Sequence, residues 1–294
     1  MSVELTRTVA EVRDAVARLR GAGKTIGLVP TMGALHAGHG RLIETARAEC
    51  RAVVVSIFVN PIQFNRQDDY ERYPRTLETD VRFAEECGAD VVFAPETAAM
   101  YPRPQRTYVD LELLTDHLCG AFRPDHFRGV ATVVAKLLHI VQPDRAYFGE
   151  KDAQQLAVIR RMVEDLNLPV AIVGVPTVRE ASGLALSSRN QHLSANERTI
   201  IAPALYRSLK AAASLIERGE RDPQVAKCEA LAELSCDSRM RMEYFEIVDP
   251  EELQPVTEIT GPVLIAAAVW VGTTRLIDNV FAVPQRVRPD TRAE

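Results

Sequence analysis

The 294-residue sequence has no excess of positive charge. Its formal net charge is −5, which argues against a nucleic-acid-binding surface while leaving room for a small basic pocket. It has no C-x-x-C pair: Cys50, Cys87, Cys119, Cys228 and Cys236 are scattered and odd in number. They read as reduced, mostly buried thiols of a cytosolic protein rather than a disulfide framework. No apolar run approaches the roughly 20 residues that span a bilayer. The opening MSVELTRTVAEVRD lacks the apolar core of a signal peptide. A soluble, cytoplasmic chain with no membrane or nucleic-acid partner is expected. Internal repeats and low-complexity segments are absent. Only five of the 35 basic residues are lysines, so a Lys in a suggestive place stands out. The histidines number six, yet two of them, His36 and His39, stand three residues apart.

What is present suits a globular protein with a real core: 47% apolar and 26% charged residues, over a length that fits two domains. Apolar residues recur at helical spacing from Thr6 to Leu19 and stop at Gly21-Ala-Gly23. Thr25 to Val29 reads as a buried strand ending at Pro30, and Gly38 to Cys50 as a helix. Ala52 to Val59 (AVVVSIFV) has the unbroken apolar character of a central parallel strand. Helices over Arg75–Cys87, Val130–Val141 and Asp152–Leu166 alternate with strands over Ala89–Ala94, Arg145–Phe148 and Val170–Val175. That alternation predicts an α/β fold, a Rossmann-like doubly wound parallel sheet. After Asn190 the pattern changes to helices over Ala195–Arg218 and Pro223–Leu234 and strands over Arg241–Val248 and Val263–Val271. A boundary near Ser182-Gly183 is expected, with 1–183 a nucleotide-binding catalytic domain and 184–294 a smaller C-terminal α+β lid domain.

Ligands of open α/β sheets bind beyond the carboxyl ends of the strands. The run VPTMGALHAGHGRLI (Val29–Ile43) sits at such an end. Its small residues Gly33, Ala34, Ala37 and Gly38 let a ligand approach the backbone. The helix opening near Gly38 offers N–H groups and a positive dipole end, and the imidazoles of His36 and His39 offer donors. The combination suits a nucleotide phosphate. The same H-x-x-H pair is also half of a zinc site, but no third ligand lies at ligand spacing, so no metal ligands are assigned. Three other segments bear on the same crevice. SIFVNPIQF (Ser56–Phe64) brings Asn60 and Gln63 past a strand end, where they can bind hydroxyls or a carboxylate or merely cap the strand. FGEKDAQQ (Phe148–Gln155) places Lys151 to neutralise phosphate, with Asp152 equally readable as an N-cap. LALSSRN (Leu184–Asn190) is a polar loop suited to a polyphosphate.

These segments, with H-F-R-G-V at 126–130 and R-L-I-D-N at 275–279, resemble the pantothenate synthetases (pantoate–β-alanine ligases), in order and spacing over nearly the whole chain. Asp125 and Ser182 differ from the commoner Gly and Asp. The resemblance implies ATP- and Mg²⁺-dependent ligation of D-pantoate and β-alanine through a pantoyl-adenylate, releasing AMP and pyrophosphate. It implies that Met32, Gly33, Ala34, Leu35, His36, Ala37, Gly38 and His39 line the ATP site, with His39 the catalytic proton donor and His36 beside it on the phosphates. Gly149, Glu150, Lys151 and Asp152 then hold the nucleotide, Lys151 stabilising charge on the transferring phosphate. Val178 and Leu186, Ser187, Ser188 and Arg189 complete the ATP site as a mobile clamp. Gln63 and Gln155 bind pantoate, Gln63 also touches β-alanine, and Asn60, Arg123 and His126 support them. A homodimer is implied as well. Three rivals remain on the residues alone. A nucleotidyltransferase acting on a phosphate ester would want cations near Asn60–Gln63, and none precedes Arg66. A metal-dependent hydrolase lacks its ligands, and a nucleotide-sensing module would not require Lys151 and Arg189.

Overall fold

Ala52–Ile57 is buried along its whole length, as a strand covered on both faces must be, and the sheet is built around it. The computed structural model describes residues 2–234 and 237–285. In chain order the elements are β1 (Glu4–Thr6), α1 (Val9–Gly21), β2 (Ile26–Thr31), α2 (Ala37–Glu49), β3 (Ala52–Ile57), α3 (Gln67–Arg72), α4 (Leu77–Glu86), β4 (Val91–Phe93), α5 (Thr97–Met100), α6 (Leu118–Phe122), α7 (His126–Val141), β5 (Arg145–Gly149), α8 (Ala153–Asp165) and β6 (Ala171–Val175). There follow α9 (Pro203–Glu217), α10 (Pro223–Leu234), β7 (Met240–Val248), β8 (Val263–Val271) and β9 (Thr274–Ala282).

The chain divides into two compact units, and not by a single cut. One holds the residues up to Thr115, Gly120–Val178 and Leu186–Ser188; the other holds Asp116–Cys119, Arg179–Ala185 and the residues from Arg189 on. In the first, six strands pair in parallel in the order β1-β4-β3-β2-β5-β6. The chain runs outward from β2 through β3 and β4, then returns to β5 on the other side of β2, which makes the β2/β5 junction the point where strand order reverses. β2 stays paired with β3 from Ile26 to Thr31 but with β5 only at Gly27 and Leu28. Pro30, with no N–H to offer a neighbour, lies where β2 and β5 have parted.

The second unit is an antiparallel sheet, β7-β8-β9. Leu205, Leu209 and Ile216 of α9 are buried in its core together with Phe245, Ile265 and Val269. Each such side chain contributes roughly 1.5–3 kcal/mol by leaving water.

Four local expectations change. Thr6 belongs to β1, whose three residues gain their order by pairing with Val91–Phe93; the helix starts at Val9, capped by a Thr8–Glu11 box. β2 continues through Pro30 to Thr31 because β3 alone supports its end. The helix predicted from Val130 begins at His126, so H-F-R-G lies inside α7. The single helix predicted over Ala195–Arg218 is a π-turn, Glu197–Ile201, followed by α9, since Pro203 cannot carry the hydrogen-bond ladder across. The sequence reading also missed β9, which contains the R-L-I-D-N run, and the short helices α3, α5 and α6. Among the cysteines, Cys50 and Cys119 are buried, Cys87 is half-buried and Cys228 exposed; Cys236 lies outside the described residues.

Candidate active site

The segment Met32–His39 leaves β2 and enters α2, and two left-handed residues turn it: Gly33 at φ +84 and Ala34 at φ +51. Glycine accepts that conformation freely, whereas at Ala34 it costs of order 1 kcal/mol. The small side chain at Gly33 therefore serves the turn as much as any ligand. An added Cβ there would also stand 3.0 Å from Asp80 and 3.1 Å from Ile57. Asp80 of α4 is 2% exposed. Its Oδ2 accepts the amide of Ala34 at 3.0 Å and the hydroxyl of Thr76 at 3.1 Å, and its Oδ1 accepts the amide of Leu35 at 2.8 Å.

His36 and His39 cap each other's backbone. The Nδ1 of His36 accepts the amide of Gly38 at 3.1 Å, and the Nδ1 of His39 accepts the amide of His36 at 3.3 Å. The helix start is thus not the open set of N–H groups that the sequence suggests, because the amide of Gly38 is already taken. The ring centroids lie 4.1 Å apart. Burial, then the neighbouring His36 and Lys151, push His39 down to about 3. Burial and then Lys151 also lower His36, against an upward pull from Asp152. Both rings are therefore neutral near pH 7. With Nδ1 accepting, each keeps its proton on Nε2, facing outward as a donor. A Cβ at Gly38 would fall 2.9 Å from the His36 ring, and the Cβ of Leu186 stands 3.9 Å from that position.

Gly149 ends β5, and Glu150–Asp152 form a single 3₁₀ turn before α8. Asp152 occupies the N-cap position but makes no capping bond with its side chain. Lys151 and Asp152 are half-buried, close enough to the histidine pair to shift it electrostatically. The amide of Leu186 donates to the carbonyl of Val178 at 2.9 Å, which brings Leu186, Ser187 and Ser188 back into the first unit. Arg189 belongs to the second unit.

Gln63 is 7% exposed. Its Oε1 accepts from Asn60 at 3.0 Å, and its Nε2 donates to the sulfur of Met32 at 3.0 Å. Asn60 is fully engaged: it also donates to the carbonyl of Gly129 at 3.1 Å and accepts from the Tyr101 hydroxyl at 2.8 Å. His126 donates from Nδ1 to the Gln63 carbonyl at 2.8 Å and accepts from Arg123 at 3.1 Å. Asn60, Arg123 and His126 thus hold Gln63 from behind. Gln155 is half-buried on α8, whereas its neighbour Gln154 is buried and donates to the carbonyl of Leu114 at 2.9 Å. Asp125, where the resemblance leads one to expect Gly, starts α7 at φ +61, a conformation that Asp tolerates better than most residues.

Within the second unit, Arg179 forms a two-pronged pair with the buried Asp278 at 2.5 and 2.9 Å and donates to the carbonyl of Gly183 at 3.1 Å. Asn190 donates to Glu180 and to the carbonyl of Ala185. The R-L-I-D-N run and the last residue of L-A-L-S-S-R-N therefore act as scaffold for the polar loop. Sequence reasoning missed Asp80, although a lone carboxylate in line with Leu77 and Ala84 on a helix face is the signal that could have found it.

The family model for pantoate-beta-alanine ligase matches residues 4–281. A pantothenate synthetase of Moorella thermoacetica is 53% identical over 278 residues, 95% of this chain and 98% of that protein. The crystal structure of a pantoate-beta-alanine ligase from Thermus thermophilus is 48% identical, with a TM-score of 0.89 over 95% of this chain and 99% of that one. A Francisella tularensis pantoate-beta-alanine ligase, solved with beta-gamma ATP and beta-alanine, is 33% identical with a TM-score of 0.77 over 95% and 97%.

Proposed function

The chain belongs to the pantoate–β-alanine ligase family, and from that premise we propose how its residues divide the work. As a member it joins D-pantoate to β-alanine with ATP, releasing AMP and pyrophosphate. The pantoate carboxylate attacks the α-phosphorus, and the amine of β-alanine then attacks the acyl carbon of the pantoyl-adenylate and expels AMP. No protein nucleophile is needed, so positioning and charge stabilisation carry the rate.

The observation that carries the residue assignment is the reciprocal capping of His36 and His39. Each ring takes a backbone N–H on Nδ1 and passes the positive end of α2 outward through Nε2–H. We assign both to hydrogen bonds with phosphate oxygens. An imidazole held at about 3 is no proton reservoir at neutral pH, so His39 acts here as a neutral donor rather than as the acid the resemblance implies. Lys151 supplies the full positive charge. The rest of Met32–His39, together with Gly149, Glu150, Asp152, Val178, Leu186, Ser187, Ser188 and Arg189, encloses the nucleotide. Mg²⁺ enters with ATP. Among the described residues no three His, Cys, Asp or Glu side chains form a metal cluster, and Asp152 stands beside the histidines. That donor set suits an ion held mainly by phosphate oxygens and water, which offsets charge on the polyphosphate. A homodimer and a cytoplasmic setting belong to the same reading.

Gln63 and Gln155 take pantoate. The weak sulfur acceptor that Met32 gives Gln63 is one that a substrate oxygen displaces with gain. Gln63→Ala is expected to raise the apparent KM for pantoate about 5- to 100-fold, the loss of one buried hydrogen-bonding group being worth about 1–3 kcal/mol, while the KM for ATP stays within about three-fold. Steady-state titration of each substrate measures this, and an equal rise for ATP puts Gln63 in the wrong subsite.

The reaction order is tested by isotope exchange. With ATP, Mg²⁺ and pantoate but no β-alanine, labelled pyrophosphate should enter ATP, and the exchange should vanish without pantoate. Label that enters only when β-alanine is added rules out a free-standing adenylate.

A further inference from the structure

We propose that Asp80 is a positioning residue for the adenylation step, the internal anion that holds the signature loop in its working shape; the inference rests on the adenylation reading above. Its carboxylate is buried and spent on three donors, the amides of Ala34 and Leu35 and the hydroxyl of Thr76, so it meets no substrate. What it does is set the backbone. Two successive left-handed residues, Gly33 and Ala34, turn consecutive amides to one side and make a concavity that attracts an anion. Asp80 fills that concavity from within the protein. The nucleotide phosphates are consequently left to the imidazoles and Lys151, since the amides of Ala34 and Leu35 are no longer on offer.

Little else supports the loop on that side. A cavity of about 410 Å³ borders it, with Met32, Gly33, Ile57, Thr76 and Asp80 among its walls. Two active-site elements hang from this loop: Met32, which meets Gln63, and His36, which starts the histidine pair. If the Ala34–Leu35 amides are released, Ala34 relaxes from its left-handed conformation and His36 moves. A displacement of about 1 Å at a reacting centre, or loss of an outer support, costs about 10- to 100-fold.

Asp80→Asn is the direct test, because the amide keeps the shape but faces one backbone N–H with an N–H of its own. The variant should lose 10- to 100-fold in pantoate-dependent pyrophosphate exchange while its cooperative melt persists. Adding Ala34→Gly, which removes the steric cost of the left-handed conformation, should recover at least three-fold of that loss. A role confined to the stability of α4 would not respond to that second change. If Asp80→Asn does not fold, Thr76→Val takes its place, and a three-fold or greater loss at unchanged melting temperature supports the assignment. The assignment is overturned by an Asp80→Asn rate within two-fold of wild type, by a loss that Ala34→Gly does not relieve, or, where Thr76→Val is the test, by a smaller loss than three-fold. Exchange absent from the wild type as well overturns the adenylation reading, and this assignment with it.

Discussion

His39→Ala should yield a folded protein whose rate of pantothenate formation is lower by about 10²–10³, the usual consequence of removing one preorganised donor to developing charge. The cost in stability is smaller. Only the cap on the His36 amide is lost, worth about 1 kcal/mol, so a cooperative melt a few degrees lower is expected. Lys151→Ala should fall in the same range of rate without the loss of a cap. A near-normal rate in either folded variant removes that residue from the mechanism. The melting curves carry an independent check. His39 is held at about 3 in the folded chain, against about 6.5 when unfolded. Below pH 6.5 the unfolded chain takes up a proton there that the folded chain refuses. The stabilising contribution is therefore present above pH 6.5 and is lost progressively as the pH falls toward 3. His39→Ala should flatten the acid side of the plot of stability against pH, and an unchanged slope would mean the imidazole is not held neutral.

Gly129→Ala is expected to be nearly as damaging, for a reason that composition hides. The residue lies inside α7, where alanine is ordinarily the better helix former by about 1 kcal/mol. A Cβ there would stand 2.4 Å from the carbonyl oxygen of Ile62 and 2.6 Å from the Cα of Gln63. Both are backbone atoms and cannot swing aside. Overpacking of this kind costs about 1–3 kcal/mol, occasionally more, and should sit at the upper end here, so sterics outweigh propensity. The net loss of about 2 kcal/mol should lower the melting temperature by roughly 4–8 °C. Because the segment pushed away carries Gln63, the KM for pantoate should rise with it. A melting temperature at or above wild type would show that α7 and the Asn60–Phe64 turn can separate freely.

The parts of the molecule that could be read beforehand are those whose cause lies within a few residues. The apolar run of β3 announces a doubly covered strand, and proline, small residues and paired histidines announce a ligand at the end of β2. What stayed hidden depends on partners far along the chain. β1 has no run of its own and exists because Val91–Phe93 pair with it. Asp80 looks like one more acidic residue on a surface helix until Ala34 and Leu35, some 45 positions earlier, turn their amides to it. The histidines could be placed but not their mutual capping, which made them neutral donors. Asn60 was read as touching substrate, whereas its side chain is taken up by Gln63, Gly129 and Tyr101. R-L-I-D-N could be noticed but not explained, since its aspartate finds Arg179 99 positions away.

The edge pairing of β1 with β4 also fixes an order of events during synthesis. The hydroxyl of Thr6 bonds to the carbonyl of Val92, 86 positions later, and at about 5–20 residues per second a ribosome needs roughly 4 to 17 seconds to supply that partner. During this interval β1 has no ladder to join. α1, whose buried side chains Val12, Ala15 and Val16 pack against α7, β2 and β4, cannot complete its seat until α7 has emerged as well. The sheet grows outward from β2 and β3, and the strand made first is the one that must wait to close its edge.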